Sequence, residues 1–369
     1  MTTLEHPEPT VDLPAQPDGV PWPTGSWPEG PQLSGDPDRL AAILDPVFAT
    51  EETPELARSL AFVAVQGGRV VAERYGPGVG PDSTLISWSM AKSVTHALVG
   101  VLAGDGLLDP DAPASVPEWS DPGDPRRPIT VADLLAMRSG LAFVEDYLDD
   151  SVSDCLEMLW GSGADDTAHY AASRPLEHPI GTVFNYSSGT TNILSRLIGS
   201  VAGRDVPSLL RERVFDPLGM SSATAQCDAS GTWVGSSYLF ATARDFARFG
   251  LLYLRDGVWD GRRVLPEGWV DFGRTPGPDR DTDIYGAQWW LTPPSGPGRP
   301  DRSLITDNHM ADAFSAQGHE GQIIVVVPSK DLILVRLGLF HGSGEAWDAL
   351  GDWSTRLVGS FGDRPARQN

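Results

Sequence analysis

The chain has 369 residues, of which 40% are hydrophobic and 21% are charged, which suffices for one large domain or two closely joined ones. Its formal net charge of -23 opposes binding to phosphate backbones and anionic lipids, so we expect no nucleic acid and no membrane as a partner. The same charge is also typical of a surface that simply keeps a protein dissolved.

The first predicted segment is a Pro-rich N-terminal tail over residues 1–37, which lies along the surface or is partly disordered. We expect Trp22 and Trp27 to dock part of this tail through their rings. The tail lacks the basic start and apolar run of a secretory signal, and no apolar run in the chain approaches the roughly 18 residues that span a bilayer. Two cysteines without disulfide or metal-ligand spacing agree with a reducing compartment, so the sequence favours a cytoplasmic protein.

A short helix and a hairpin follow the tail. Residues 38–49 have the apolar spacing of an amphipathic helix. The run LAFVAVQ, the turn Gly67-Gly68 and the run RVVAERYG predict two antiparallel strands. Another helix is expected to open at residues 87–89, because apolar residues then recur along one face as far as Gly104.

The middle of the chain is predicted to be helical and its C-terminal part to return to strands. The stretch TVADLLAMRSGL predicts a helix that Gly140 closes, and residues 189–202 and 243–255 predict two more amphipathic helices. After residue 285, strands are predicted in the runs AQWWLT, FSAQG, QIIVVVP and LILVRLGLF, before a last helix, AWDALGDWSTRLVGSF.

Strands at both ends and helices between them predict an α+β fold. An antiparallel sheet flanked by helices would combine residues of about 38–88 and 280–369, and a mainly helical lobe would comprise residues of about 89–279. Both parts would form one domain of residues 38–369, with a ligand site in the cleft between them.

The strongest chemical signal is Ser89-Met90-Ala91-Lys92 at the start of a predicted helix. Residues three apart on a helix share a face, so the Lys92 amine can reach the Ser89 hydroxyl. A serine nucleophile needs an adjacent base, and burial favours the neutral form of a lysine amine. Lys92 is also one of only two lysines in the chain. The alternative is an ordinary helix start with a capping serine.

Two later stretches carry weaker signals. Tyr186 precedes a predicted helix and suits a general acid or base, although a half-buried loop tyrosine with a satisfied hydroxyl explains it as well. Residues 315–322, SAQGHEGQ, predict a Gly-rich strand whose backbone N–H groups suit an oxyanion, or a tight turn between two core strands.

The remaining polar clusters are interpreted as surface or core features. The acidic stretch with Glu145, Asp146, Asp149 and Asp150 is interpreted as a solvated loop, in which Tyr147 is the residue of interest. The histidines show no metal-ligand spacing, so no metal and no cofactor is expected. These histidines are His96, His169, His178, His309 and His341.

Three boxes resemble the serine β-lactamase and penicillin-recognising superfamily, in its class C β-lactamase-like branch. They are Ser89-Met-Ala-Lys92, Tyr186-Ser-Ser188 and Ala316-Gln317-Gly318, in that order along the chain. Within this superfamily the sequence is most similar to 6-aminohexanoate-dimer hydrolase-like and esterase-like members. The resemblance covers residues of roughly 55–360 and implies a β-lactamase/transpeptidase-like fold.

The resemblance also implies a role for each residue of the site. Ser89 would be the nucleophile, and Lys92 and Tyr186 would share its proton. The backbone N–H groups of Ser89 and His319 would hold the oxyanion. The other substrate-binding residues that the resemblance implies are Tyr147, Ser188, Gln317 and Gly318.

Two departures from the superfamily pattern narrow the expected substrate. Ser188 stands where an asparagine is usual, and Ala316 stands where a lysine or histidine helps to hold a substrate carboxylate. These departures argue against β-lactamase and D,D-peptidase activity and favour esters and small amides.

The predicted function is therefore a serine hydrolase of carboxylesterase or amidase type, which cleaves a small-molecule ester or amide through an acyl-enzyme on Ser89. Two alternatives stay open: an acyltransferase that uses the same acyl-enzyme, and a non-catalytic ligand-binding relative. The natural substrate and the oligomeric state are not determined by the sequence.

Overall fold

A computed structural model describes most of the chain, and its strands and helices divide into a sheet layer and a helical region. The described residues are 11–54, 56–147, 152–276, 284–291, 310–340 and 344–364. The strands are β1 (Arg58–Gln66), β2 (Arg69–Tyr75), β3 (Leu85–Ile86), β4 (Thr224–Ala225), β5 (Leu239–Ala241), β6 (Val258–Trp259), β7 (Arg262–Arg263), β8 (Phe314–Gly318), β9 (Gln322–Val327) and β10 (Leu332–Leu339). The α-helices are α1 (Pro37–Phe48), α2 (Ala91–Gly104), α3 (Val131–Leu135), α4 (Asp154–Trp160), α5 (Thr167–Ala172), α6 (Ser188–Ala202), α7 (Val206–Leu210), α8 (Asp216–Leu218), α9 (Ala243–Leu254), α10 (Trp269–Gly273) and α11 (Gly344–Val358).

Five strands form one antiparallel sheet in the order β2-β1-β10-β9-β8. The predicted hairpin of β1 and β2 and the three predicted C-terminal strands β8, β9 and β10 are thus confirmed. Alternate residues of β1 point to opposite faces, and both faces are buried. Ala61 and Val63 belong to one hydrophobic core, and Phe62 and Ala64 belong to the other.

Helices cover both faces of this sheet. The terminal helices α1 and α11 pack on the face that carries Phe62, where Leu44 and Trp353 are almost fully buried. Helix α9 packs on the opposite face so closely that a Cβ on Gly250 would lie 2.9 Å from the Ile333 side chain. The sequence predicts a mainly helical lobe over residues of about 89–279, and α9 lies within that range. In the structure α9 packs directly against the sheet. The division of the chain at residues 37, 88 and 280 otherwise stays a prediction.

The described part of the N-terminal tail is docked on the domain. The Trp22 ring lies 5.1 Å from the Trp259 ring, and Trp27 is buried and donates its indole N–H to the Arg244 carbonyl at 3.1 Å. A little further along the chain, Pro28 and Gly30 each form one backbone hydrogen bond with Val70, which lies on the edge strand β2. The tail therefore covers a strand edge that would otherwise be open to pairing with another chain.

Two predicted elements differ from the structure. The helix expected to extend to Gly140 ends at Leu135, because Met137 has a left-handed backbone with a φ of 59°. The run AQWWLT is not a strand over its described residues, since Gln288 also has a positive φ, of 60°, and reverses the chain. Only Trp290 of that run pairs with β8, through a single bridge to Ser315.

Two absences hold over the residues that the structure describes. None of the helices there has both the length and the apolar character needed to cross a lipid bilayer. The same residues contain no group of three or more His, Cys, Asp or Glu side chains arranged to hold a metal ion. His309 and His341 lie outside the described residues.

Candidate active site

Ser89 and Lys92 lie at the start of α2, deep in the molecule. Ser89 sits in a short 3₁₀ turn, Trp88–Met90, and Lys92 follows in the first turn of α2. The helical spacing places the Lys92 Nζ atom 2.9 Å from the Ser89 Oγ atom. Lys92 is only 1% exposed, whereas Ser89 is partly accessible to solvent. The structure thus brings together the pair that the sequence singled out.

The other partners of the Lys92 amine determine which way its lone pair points. Nζ lies 2.9 Å from Ser188 Oγ and 3.1 Å from the carbonyl oxygen of Ser236. That carbonyl can only accept, and the Ser188 hydroxyl already donates its single proton to the Glu145 carboxylate at 2.6 Å. Both groups therefore accept from Lys92. A neutral amine has two protons to donate, so its lone pair is left facing the Ser89 hydroxyl.

The charge state of Lys92 is set mainly by burial. Removal of the ammonium from water lowers the pKa of Lys92 below its usual range, and the negative charge of Glu145 opposes that shift. The lowered pKa favours the neutral amine, which is the form that can accept a proton from a serine.

Glu145 is the centre of a hydrogen-bond network beside this pair. Its carboxylate accepts the Ser188 backbone N–H at 2.7 Å, the Ser188 hydroxyl at 2.6 Å and the Tyr147 hydroxyl at 2.6 Å. The interpretation of this stretch as a solvated acidic loop was therefore wrong for Glu145. Asp149 and Asp150 of the same stretch lie outside the described residues.

Sequence reasoning missed Glu145 and the Ser236 carbonyl. The one signal available for Glu145 was its position two residues before Tyr147, in the stretch that the family resemblance had already marked. Ser236 contributes a backbone oxygen, which no residue-type pattern reveals.

Tyr186 stands on the other side of the nucleophile, just before α6. Its ring centroid lies 4.9 Å from Lys92 Nζ, and its hydroxyl is close enough to the Ser89 side chain for Ser89 to lower the pKa of Tyr186. Burial raises the pKa of Tyr186 well above its usual value, the charge of Glu145 adds to the shift, and the Ser89 hydrogen bond opposes it. Tyr186 is thus a protonated donor near neutral pH, backed by the rings of Tyr285 at 5.8 Å and Trp290 at 5.1 Å.

The end of β8 lies directly against the Ser89 turn. A Cβ on Gly318 would lie 2.2 Å from the Ser87 carbonyl oxygen and 3.1 Å from the Ser89 nitrogen, so only glycine fits there. The next residue, His319, begins a short turn, and the centroid of its imidazole ring lies 4.9 Å from that of the Tyr147 ring. The structure therefore brings the end of β8, which immediately precedes His319, against the backbone nitrogen of Ser89.

The first two residues of the third box have different surroundings. Ala316 is buried in the main core, so this position offers no positive charge to a substrate. The Gln317 side-chain amide donates to the Ser315 hydroxyl at 2.9 Å, on the strand edge that faces Trp290.

Two non-glycine residues with a left-handed backbone lie on either side of the nucleophile. Trp88, the residue before Ser89, has a φ of 44°, and Glu320 in the opposite turn has a φ of 61°. The Trp88 indole N–H donates to the Glu320 carboxylate at 3.2 Å. Non-glycine residues with such backbones persist only where surrounding contacts hold them, and they are typical of functional sites.

Comparisons with known proteins agree with this geometry. The family model described as Beta-lactamase matches residues 48–357. The 6-aminohexanoate-dimer hydrolase of Paenarthrobacter ureafaciens is 28% identical over 320 residues, which cover 81% of this chain and 77% of that protein.

Two solved structures are similar in fold. A Bacillus anthracis protein provisionally named as a 6-aminohexanoate-dimer hydrolase has a TM-score of 0.71 at 22% identity and covers 94% of this chain and 89% of its own. A class C beta-lactamase from Rhodobacter sphaeroides has a TM-score of 0.59 at 18% identity, with coverages of 87% and 98%. Together with the sheet and its helices, these likenesses confirm the predicted α+β fold of the β-lactamase/transpeptidase type.

Proposed function

The chain belongs to the beta-lactamase family of serine hydrolases, and from this we propose that it cleaves a small ester or amide through an acyl-enzyme on Ser89. The observation that carries the proposal is the position of Lys92 Nζ, which lies 2.9 Å from Ser89 Oγ, 2.9 Å from Ser188 Oγ and 3.1 Å from the Ser236 carbonyl oxygen. A neutral amine that donates to Ser188 and Ser236 would direct its lone pair at Ser89.

The first half of the proposed reaction forms the acyl-enzyme. Lys92 accepts the hydroxyl proton as Ser89 Oγ bonds to the substrate carbonyl carbon. The negative charge on the former carbonyl oxygen is held by the backbone N–H groups of Ser89 and His319. As the bond to the leaving group breaks, Tyr186 donates its proton to that group and regains one from Lys92.

The second half releases the acyl group. A water molecule takes the place of the leaving group and attacks the acyl carbon, and it gives a proton to Tyr186 while Tyr186 passes its own hydroxyl proton to Lys92. The Ser89 oxygen then leaves and regains its proton from Lys92. Glu145 and Ser188 hold Lys92 in place through both halves, and Tyr147 covers the leaving-group side.

The charge of the site supports esters and amides without a carboxylate. Ala316 supplies no cation, and the carboxylates of Glu145 and Glu320 lie close to the nucleophile turn. A penicillin carries a carboxylate that these negative charges would repel. We therefore propose carboxylesterase or amidase chemistry in place of β-lactam hydrolysis.

Intact-mass spectrometry tests the nucleophile and the substrate class together. The wild-type protein and Ser89→Ala are exposed to activated esters, activated amides and a penicillin. An acyl adduct on the wild type that is absent from Ser89→Ala is expected with the esters or amides. Equal labelling of both proteins would refute the nucleophile, and rapid turnover of the penicillin would refute the substrate class. An added amine or alcohol in the same reactions reveals acyl transfer if it appears in the product.

A further inference from the structure

An aromatic cluster borders the nucleophile, and the acylation steps leave most of it unused. The cluster consists of Trp88, Trp160, Tyr238 and His319. The Trp88 ring centroid lies 6.1 Å from that of Trp160, 6.3 Å from that of Tyr238 and 5.7 Å from that of His319. Since Trp88 is joined to Ser89 by a peptide bond, the cluster lies beside the reacting serine.

Part of the cluster is open to solvent. The Trp160 side chain is 58% exposed, and that of nearby Tyr147 is 40% exposed. Four of the seven exposed large hydrophobic residues among the described residues fall between 144 and 160, so exposure is concentrated at the rim of the site. Concentrated apolar exposure of this kind marks a surface that contacts a ligand.

A carboxylate lies against the same rings. Glu320 accepts the Trp88 indole N–H through one oxygen at 3.2 Å. Within the part of the chain that the structure describes, no ion pair includes Glu320. The buried guanidinium of Arg336 donates to the backbone carbonyl oxygen of Glu320 at 3.4 Å and forms no ion pair with its carboxylate.

Among the described residues, the two basic side chains on the nucleophile side of Glu320 are His319 and Lys92, and burial lowers the pKa of both. Burial lowers the pKa of His319, although Glu320 opposes the shift, so the imidazole is neutral near pH 7. Burial likewise lowers the pKa of Lys92, although the charge of Glu145 opposes that shift. The Glu320 carboxylate therefore places a negative charge beside the Trp88 ring.

We propose that Trp88, Trp160 and Glu320 form a subsite for a positively charged organic group of the substrate, such as an alkylammonium. This inference rests on the proposed function, because the bound group would be joined to the ester or amide that Ser89 attacks. Indole faces attract cations within about 6 Å, and a carboxylate beside the rings strengthens that attraction. An organic cation also has the apolar body that the exposed rim would cover.

Two esters of the same shape separate the effect of the substrate's positive charge on binding from the effect of its size. The acetate esters of choline and of 3,3-dimethylbutanol share their acyl group and shape, and they differ by one positive charge. Binding of each to the Ser89→Ala protein is measured by calorimetry or equilibrium dialysis. The choline ester should bind about tenfold more tightly at low ionic strength, and added salt should reduce the ratio. Equal affinities, including no measurable binding of either ester, would overturn the proposal.

Variants then locate the subsite. In the Ser89→Ala background, Glu320→Gln and Trp160→Leu should each bring the affinity ratio close to one, whereas Trp160→Phe should retain part of the preference because it keeps a ring. Glu212→Gln is the matched control, since it neutralises a carboxylate that pairs with Arg204. A ratio unchanged by both Glu320→Gln and Trp160→Leu would refute the assignment.

The two proposals fail in different ways. Binding to Ser89→Ala requires no chemistry, so loss of the charge preference contradicts the subsite alone. Failure of the wild type to form an adduct with any activated ester contradicts the proposed hydrolysis alone.

Discussion

At the scale of single residues, the site depends on a lysine that is buried without an ion pair to any described carboxylate. Burial of a charged amine is unfavourable and lowers the pKa of Lys92, while hydrogen bonds to Ser188 and Ser236 hold its Nζ atom in position. The sequence predicted the pairing of Ser89 and Lys92 because helical spacing is a local property. It could not predict Glu145, whose contact with Ser188 joins segments 43 residues apart.

Replacing Lys92 with methionine tests its role as the base. Acylation of Ser89 should slow by at least about 100-fold, since general base catalysis contributes that much. Stopped-flow measurement of product release from an activated ester checks the rate. An acylation rate within a few-fold of wild type would contradict the assignment.

The same variant has a defined signature in stability. The pKa of Lys92 is lowered in the folded state, so unfolding takes up a proton at any pH between the folded and unfolded pKa values. The free energy of unfolding of the wild type should therefore rise relative to that of Lys92→Met as the pH increases from the folded toward the unfolded pKa of the lysine. Urea denaturation at several pH values measures the difference, and a constant difference would mean that Lys92 is charged in the folded protein.

Glu145→Gln should shift the pH dependence of acylation. The negative charge of Glu145 raises the pKa of the Lys92 amine against the larger effect of burial, so its removal lowers that pKa further. The acidic limb of the pH–rate profile should move to lower pH, and kcat/KM should fall by about tenfold because a charged hydrogen bond to Ser188 is lost. Glu177→Gln, on the surface beside His178, is the control and should leave the profile in place. A shift toward higher pH would contradict this account.

At the scale of elements, the fold holds the site by pressing the end of β8 against the turn before α2. The amphipathic helices and the strands were predictable because the spacing of apolar residues along a short stretch of sequence indicates which of the two will form. The run AQWWLT was predicted wrongly because a tertiary contact decides it: the Gln288 amide donates to the Leu135 carbonyl at 2.8 Å and holds the chain in a reversal. Propensity alone cannot report such a contact.

Gly318→Ala tests the contact between these elements. The added Cβ would lie 2.2 Å from the Ser87 carbonyl oxygen, so β8 must move away from the nucleophile turn. We expect acylation to slow by at least about 100-fold, as when an oxyanion donor is lost. Gly80→Ala is the matched control because nothing lies within 4 Å of its Cβ position. Similar esterase rates in the two variants would show that the contact does not position the oxyanion donors.

At the scale of the whole molecule, the N-terminal tail is part of the folded body over its described residues. Its composition predicts a tail that lies along the surface or is partly disordered, and the two tryptophans supply the apolar surface that anchors its described part. Trp27 also stacks against the Arg248 guanidinium, 5.5 Å from the ring centroid. Which surface the rings would contact could not be known from a local pattern.

Trp27→Ala should therefore destabilise the whole domain. We expect a loss of about 3 kcal/mol in the free energy of unfolding, since a buried tryptophan is removed. Leu107→Ala, at a residue that is 54% exposed, should change it by less than about 0.5 kcal/mol. Chemical denaturation of both variants compares them, and equal stabilities would mean that the tail is only loosely attached.

The burial of the lysines has a consequence for labelling chemistry. The chain contains two lysines, and both are nearly inaccessible: Lys92 is 1% exposed and Lys330 is 4% exposed. Apart from the N-terminal amine, the folded protein thus offers amine-reactive reagents almost nothing to modify, while the unfolded chain offers two sites. A short pulse of such a reagent, read by mass, would count unfolded molecules directly without any added probe. Modification at Lys92 would also mark each of those molecules as unable to regain its nucleophile pair.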